Sequence, residues 1–193
     1  MINSIPPREA ENEQGVMNMS ETKKRYYIAY GSNLSVEQMK GRTPDAKIVG
    51  TGILYGWRLL FKLHATVEPC EGKNTPVLVW EISERDEERL DCYEGFPTYY
   101  YKQDLELEVF PMEGGEPVTL TAMVYLMTEG RHLKAPYPGY YKVLEEGYRR
   151  LHFPMHILEQ ALADSVGRKN AIRMLGEKCT LARKGGKSHE VCE

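Results

Sequence analysis

The stretch Tyr26-Tyr27-Ile28-Ala29-Tyr30-Gly31-Ser32-Asn33-Leu34 constrains the fold more than any other part of the chain. An aromatic and β-branched strand runs into a small polar turn, and Ser35-Val36-Glu37-Gln38 then reads as a helix start with a capping box. Gly31 has access to backbone angles closed to other residues, while Ser32 and Asn33 turn the chain and leave successive amide N–H groups pointing one way. With the positive end of a short helix beside it, such a turn makes a pocket for an anion such as a carboxylate.

The rest of the pattern places this turn in an α+β body. Residues 1–24 are rich in Pro, Glu, Asn and Ser without period 2 or 3.6, and read as a mobile tail. Short strands are predicted at 25–30, 48–55, 57–63 and 75–82, with Tyr55-Gly56 as a tight connection. Ser83 with Asp86 and Glu87 marks a helix start, and Gly95 with Pro97 closes that helix after about Tyr93. From Tyr99 to Phe110, Leu105, Leu107 and Val109 alternate with Asp104, Glu106 and Glu108, so one face of this strand is exposed. A Gly-Gly connection leads to a second alternating strand, 118–127, that pairs with it. Helices are predicted at 140–151, from Pro154 to about Ala163, and at 168–177. One domain, 25–163, is expected, with a helical extension and basic tail at 164–193.

Composition removes several classes of function. A hydrophobic fraction of 41% and a net charge of −3 are ordinary for a globular body, and no face-sized excess of Lys and Arg supports a nucleic-acid partner. No segment approaches the roughly 18–20 apolar residues of a membrane span, and the first residues lack the apolar core of a secretion signal. A cytoplasmic protein with no membrane association is expected. The cysteines at 70, 92, 179 and 192 form no Cys-x-x-Cys pair, which argues for reduced structural thiols and against a metal or redox motif.

Glu94, in Leu90-Asp91-Cys92-Tyr93-Glu94-Gly95, stands at the predicted C-terminal end of a helix among aromatic residues. The partial negative charge there and burial both favour the protonated form, so this carboxyl is suited to exchange a proton near neutral pH. Taken in order, Tyr30-Gly31-Ser32-Asn33-Leu34, Arg42-x-Pro44-x-Ala46, Leu90-Asp91-x-x-Glu94-Gly95, Tyr101 and Pro138-x-Tyr140 resemble the γ-glutamylcyclotransferase superfamily over about residues 26–148. That resemblance implies a compact mixed, mostly antiparallel β-barrel flanked by helices, with a pocket at its mouth. It also implies a small-molecule γ-glutamyl substrate, closed to 5-oxoproline with release of an amine or amino acid, and no cofactor or metal. On the same ground Glu94 is the expected general acid and base. Tyr30, Gly31, Ser32, Asn33, Leu34, Tyr101 and Tyr140 are the expected substrate contacts, although Tyr99 and Tyr100 adjoin Tyr101 and compete for its place.

Other chemistries fit the pattern less well. His152 and His156 are four apart, but Pro154 between them breaks the helical face that metal binding would need. Ser32 lacks the Gly-x-Ser-x-Gly elbow of a hydrolase nucleophile. A non-catalytic γ-glutamyl-binding or interaction module on the same fold is the second reading, and the presence of Glu94 favours the enzyme.

Overall fold

A computed structural model describes residues 24–176. Five strands close into a barrel in the order β1-β3-β2-β4-β5. They are β1 (Arg25–Ala29), β2 (Lys47–Lys62), β3 (His64–Ile82), β4 (Tyr100–Pro111) and β5 (Val118–Met127). Neighbours are antiparallel except β1 and β5, which run parallel where Tyr27 and Ile28 meet Met123 and Val124. The mixed barrel matches the expected fold class. Its strands are covered on both faces: Ile28, Leu78, Val79, Val109, Met123 and Val124 retain no solvent exposure, although neighbours such as Leu78 and Val79 point to opposite sides of the sheet.

Closure depends on a close backbone approach. Where β2 meets β4, a Cβ on Gly50 would lie 2.2 Å from the Phe110 carbonyl oxygen, and one on Gly52 would lie 2.8 Å from that of Glu108. Only residues without a side chain fit between these strands, so the glycines at 50 and 52 let the sheet curl until the barrel shuts.

The strand limits differ from the sequence expectation in one instructive place. Residues 47–62 form one strand, and Gly56 (φ 76°) marks an irregularity in its pairing where a tight turn is predicted. The strand partner begins at His64, well before Thr75, so β2 and β3 form a long hairpin joined at Leu63, which takes a positive φ of 74°. Opposite Gly56 the register jumps from Asn74 to Pro69, leaving residues 70–73 outside the regular pairing. Cys70 lies in that excursion and is disulfide-bonded, so the expectation of reduced thiols throughout does not hold.

The helices are α1 (Val36–Arg42), α2 (Glu84–Glu94), α3 (Pro138–Arg150), α4 (Met155–Val166) and α5 (Arg168–Leu175), and a 3₁₀ turn covers Ser32–Leu34. The expected capping box at Ser35 is half formed: Ser35 Oγ accepts from the Gln38 amide at 3.4 Å, while the Gln38 side chain is taken by Arg42. A full box occurs instead at Ser83 and Asp86, and Gly95 caps the other end of α2 in the left-handed conformation (φ 68°). Ser165 on α4 accepts from the Phe61 amide at 2.7 Å and donates to the Ala161 carbonyl at 2.6 Å, pinning the helix to β2. The expected domain limit at 163 falls inside α4, and α5 also joins the core through Ala171, which is fully buried. The expected N-terminal tail and the basic segment around Arg183 lie outside the described residues.

Helix α3 fixes the turn after β1. The Arg150 guanidinium donates to the Leu34 carbonyl at 2.6 Å, and a Cβ on Gly147 would come within 2.9 Å of Leu34 Cβ. Gly147→Ala is therefore expected to push α3 off the turn and to lower stability by about 1–3 kcal/mol, read as a lower urea midpoint with an unchanged m-value.

Candidate active site

The turn Ser32–Leu34, the end of α2 and the start of α3 converge at one end of the barrel around a cavity of about 390 Å³. Ser32, His64, Tyr93, Glu94, Gly95, Tyr99, Tyr100 and Tyr140 line it. The volume lies within the roughly 300–1,000 Å³ typical of small-molecule sites.

Glu94 is the last residue of α2, and the Gly95 cap turns the chain away immediately after it. Its carboxyl is half-buried, with one edge on the cavity, and accepts a hydrogen bond from Asn33 Nδ2 at 2.9 Å. Burial pushes its pKa up to about 7 against the opposing pull of Arg42 and of the Asn33 amide. The cause that raises it is desolvation, one of the two that the sequence offers; the helix end is not among the causes.

Asn33 is held on every side. Its Nδ2 also donates to Tyr27 Oη at 2.7 Å, its Oδ1 accepts from Arg42, and its backbone carbonyl accepts from Trp80 Nε1 at 3.2 Å. This pattern fixes which way the amide faces, with both N–H donors aimed at oxygen. Arg42 in turn reaches Ser32 Oγ at 3.2 Å and Gln38 Oε1 at 2.6 Å, while its guanidinium lies 3.7 Å above the Tyr93 ring. It clamps the turn to α1 and covers one wall of the cavity.

Tyr140 supplies the second polar group. Its Oη accepts from the Ala65 amide at 3.1 Å and is also faced by the Ser32 amide, and burial raises the phenol well above its usual pKa. A neutral phenol whose oxygen already accepts from backbone has its own O–H free to donate. Beside it, His64 Nδ1 lies 3.2 Å from Tyr99 Oη, its ring meets the Tyr140 ring edge-on, and burial lowers its pKa and keeps it neutral at pH 7.

The expected contacts therefore separate into groups. Ser32, Glu94 and Tyr140 line the cavity, and Asn33 holds the carboxyl from behind. Tyr30 and Leu34 are buried beneath the turn, with Tyr30 Oη donating to the Tyr125 carbonyl. What Gly31 contributes is not a positive φ, since it has φ −110° and ψ −140°. A Cβ there would instead approach Tyr140 Oη at 3.2 Å and crowd the cavity.

Tyr101 requires a correction. It is 43% exposed on the outer face of β4, while Tyr100 lines the cavity because successive strand residues point to opposite faces, and Tyr99, just before the strand, lines it too. Among the described residues no His, Cys, Asp or Glu cluster has the makings of a metal site. Also among them, no helix is long and apolar enough to cross a membrane.

Sequence reasoning assigns no role to Arg42, Tyr27 or His64. Arg42 carries the one available signal, its place in Arg42-x-Pro44-x-Ala46 four residues after Gln38. Tyr27 and His64 reach the site only through barrel closure and the unforeseen start of β3.

The closed barrel thus carries, on one aromatic-walled cavity, a carboxyl raised in pKa by burial and a hydrogen-bonded phenol. Residues 27–150 match the family described as "Gamma-glutamyl cyclotransferase, AIG2-like". A human protein named "Gamma-glutamylcyclotransferase" is 29% identical over 149 residues, covering 71% of this chain and 77% of the relative. Its mouse counterpart of the same name is 30% identical over the same share of each chain. A solved structure named "Gamma-glutamyl cyclotransferase" superposes with a TM-score of 0.60 at 26% identity, covering 72% of this chain and 86% of the other. The chain belongs to the γ-glutamyl cyclotransferase, AIG2-like family.

Proposed function

We propose that this protein is an intramolecular cyclotransferase that converts a γ-glutamyl compound into 5-oxoproline and a free amine or amino acid. The observation that carries this reading is Glu94, a carboxyl pushed up to about 7 on the wall of a cavity otherwise lined by hydroxyls and neutral rings. Such a group is partly ionised at neutral pH, and so serves as a base in one step and an acid in the next.

In the first step the Glu94 carboxylate takes a proton from the substrate's α-ammonium and passes it to solvent. The freed α-amine attacks the γ-carbonyl carbon of the same residue, a C–N bond closes the five-membered ring, and the carbonyl electrons move onto oxygen. The Tyr140 O–H donates to that oxyanion, a type of contact worth about 10²–10³ in rate. Ring nitrogen then gives its extra proton to Glu94, which delivers it to the departing nitrogen as the old C–N bond breaks. The leaving group departs as a neutral amine, takes up a proton from water, and Glu94 is again a carboxylate.

Because attack is intramolecular, much of the rate comes from holding the γ-glutamyl chain folded. Ser32 and Asn33 border or brace the pocket for that purpose, while Tyr30, Gly31 and Leu34 shape the turn. Two features support this division: Ser32 borders the cavity, and Asn33 keeps Glu94 at 2.9 Å. The test is incubation with a panel of γ-glutamyl amino acids and γ-glutamyl amines, with 5-oxoproline read by mass spectrometry. Release from at least one member is expected. Tight binding of a γ-glutamyl compound without release from any member would replace the enzyme with a binding module.

A further inference from the structure

A side chain that the mechanism leaves unused supports Glu94 from its own helix. Asp91 stands three residues before Glu94 on one face of α2 and turns its carboxylate to the barrel wall. Its Oδ1 accepts from Tyr125 Oη at 2.6 Å, and Lys102 Nζ reaches Oδ1 and Oδ2 at 2.7 and 2.8 Å. Lys102 on β4 and Tyr125 on β5 are direct cross-strand partners, so two neighbouring strands hold one carboxylate. The Asp91 backbone carbonyl also accepts from the Gly95 and Phe96 amides, the bonds that close the helix directly after Glu94.

Local rules alone would not put an aspartate here. It is a poor helix former, and a carboxylate in the last turn faces partial negative charge that no basic residue of that turn offsets in α2. What Asp91 holds connects back to the site. The buried Tyr125 ring packs edge-on against Tyr27 with centroids 5.8 Å apart, and Tyr27 Oη accepts from the same Asn33 Nδ2 that donates to Glu94. Burial and the Asp91 carboxylate keep the Tyr125 phenol protonated and able to donate. The helix end and the Asn33 amide, which together place the Glu94 carboxyl, are thus both braced on one phenol.

Glu87, one turn earlier on α2, supplies a contrast. It accepts from Lys102 at 2.6 Å and from Arg25 at 2.7 Å, which fastens the helix to β4 and β1 without involving Tyr125.

We propose that Asp91 is a positioning residue for Glu94, which through Tyr125 sets where the end of α2, and with it the proton-carrying carboxyl, stands against the cavity. This rests on the cyclotransferase reading above. A misplacement of about 1 Å in a reacting group costs about 10²-fold in rate. The substrate still binds, so the loss falls on kcat and leaves KM nearly unchanged.

The experiment measures kcat and KM for 5-oxoproline release by the full chain, from a γ-glutamyl compound that the wild type turns over, together with the urea midpoint of each variant. Tyr125→Phe, which loses a single oxygen, and Asp91→Ala are each expected to lower kcat by about 10–10²-fold with KM nearly unchanged. The double variant is expected to fall no further than the worse single one, because both changes break one contact. Asp91→Asn, which keeps an oxygen able to accept from Tyr125, recovers part of the loss. Glu87→Ala removes another Lys102 partner on the same helix, and is expected to lower the urea midpoint while kcat stays nearly unchanged. Wild-type kcat in Tyr125→Phe and Asp91→Ala, losses that multiply in the double variant, or an equal loss in Glu87→Ala would make Asp91 an anchor for stability alone. Any of these would overturn the assignment and leave the cyclotransferase reading intact. If Asp91→Ala does not fold, Tyr125→Phe against Glu87→Ala decides by the same criteria. A wild-type protein that turns over no member of the γ-glutamyl panel would instead bring down the underlying reading, and this inference with it.

Discussion

Glu94→Gln is expected to cut 5-oxoproline formation by about 10²–10⁴-fold, the range supplied by a positioned acid–base group, and at the same time to make the folded protein more stable in mild alkali. The two effects share one cause. Glutamine keeps an oxygen able to accept from Asn33 at the position where Glu94 is now 2.9 Å away, but it cannot carry a proton. The folded state binds the Glu94 proton until about pH 7, whereas the unfolded chain releases it near the ordinary value of 4.5.

Between those values the folded state holds more protons than the unfolded one, so the contribution of Glu94 to stability falls as pH rises and is lowest above about 7. The resulting gap between Glu94→Gln and wild type opens from pH 4.5 to 7 and levels off on the order of 3 kcal/mol. Urea unfolding at pH 4.5 and pH 8 measures it. Equal stabilities at both pH values would mean that the carboxyl is not held in a desolvated site.

Asn33→Asp carries the second large effect. The change removes both Nδ2 donors, which now reach Glu94 at 2.9 Å and Tyr27 at 2.7 Å, and puts a carboxylate in their place. The Asn33 hydrogen bond lowers the Glu94 pKa, so its loss and the new like charge both drive that pKa upward. The two carboxyls then titrate as a coupled pair, with Arg42 as their shared counter-ion. Activity at pH 7 is expected to fall by about 10²-fold or more, from misplacement as well as from the shifted proton equilibrium, and the acid limb of the rate profile moves to higher pH. Asn33→Ala separates the contributions, because it removes the donors without adding charge. It is expected to move the acid limb by a smaller amount in the same direction.

The parts of this architecture written in local chemistry were legible in the sequence. Alternation of Leu105, Leu107 and Val109 with acidic residues, the Ser83 start of α2 and its Gly95 stop each depend on residues within a few positions of one another. Glu94 was reached because its helix end and its aromatic neighbours are also local. The β2–β3 hairpin was misread for the same physical reason. Its turn at Leu63 has none of the usual Gly or Asn signals, whereas the residues 69–74, with Pro69, Gly72 and Asn74, look like a loop and are an excursion within the hairpin.

The details of the candidate site that escaped the sequence are those made by closure of the barrel. Arg42 approaches Glu94 only because α1 folds back over the turn, and His64 enters the cavity only because β3 starts well before its predicted start at Thr75. The assignment of Tyr101 failed for want of one fact, the phase of β4. With period 2, placing Tyr100 inward sends Tyr101 to solvent, and the aromatic composition of the run carries no phase of its own.

The most direct test of Glu94 as the proton carrier is the pH dependence of kcat/KM for 5-oxoproline release from a reactive γ-glutamyl compound, followed from pH 5 to 8.5 in the wild-type protein and in Glu94→Gln. The profile reports the ionisations of the unliganded enzyme and free substrate. The wild-type rate should rise through an acid limb with a pKa of about 7, and that limb should be absent from the residual rate of Glu94→Gln. A limb in the ordinary carboxylate range, or one near 7 that persists unchanged in Glu94→Gln, would contradict the assignment of Glu94 as the group that moves the proton.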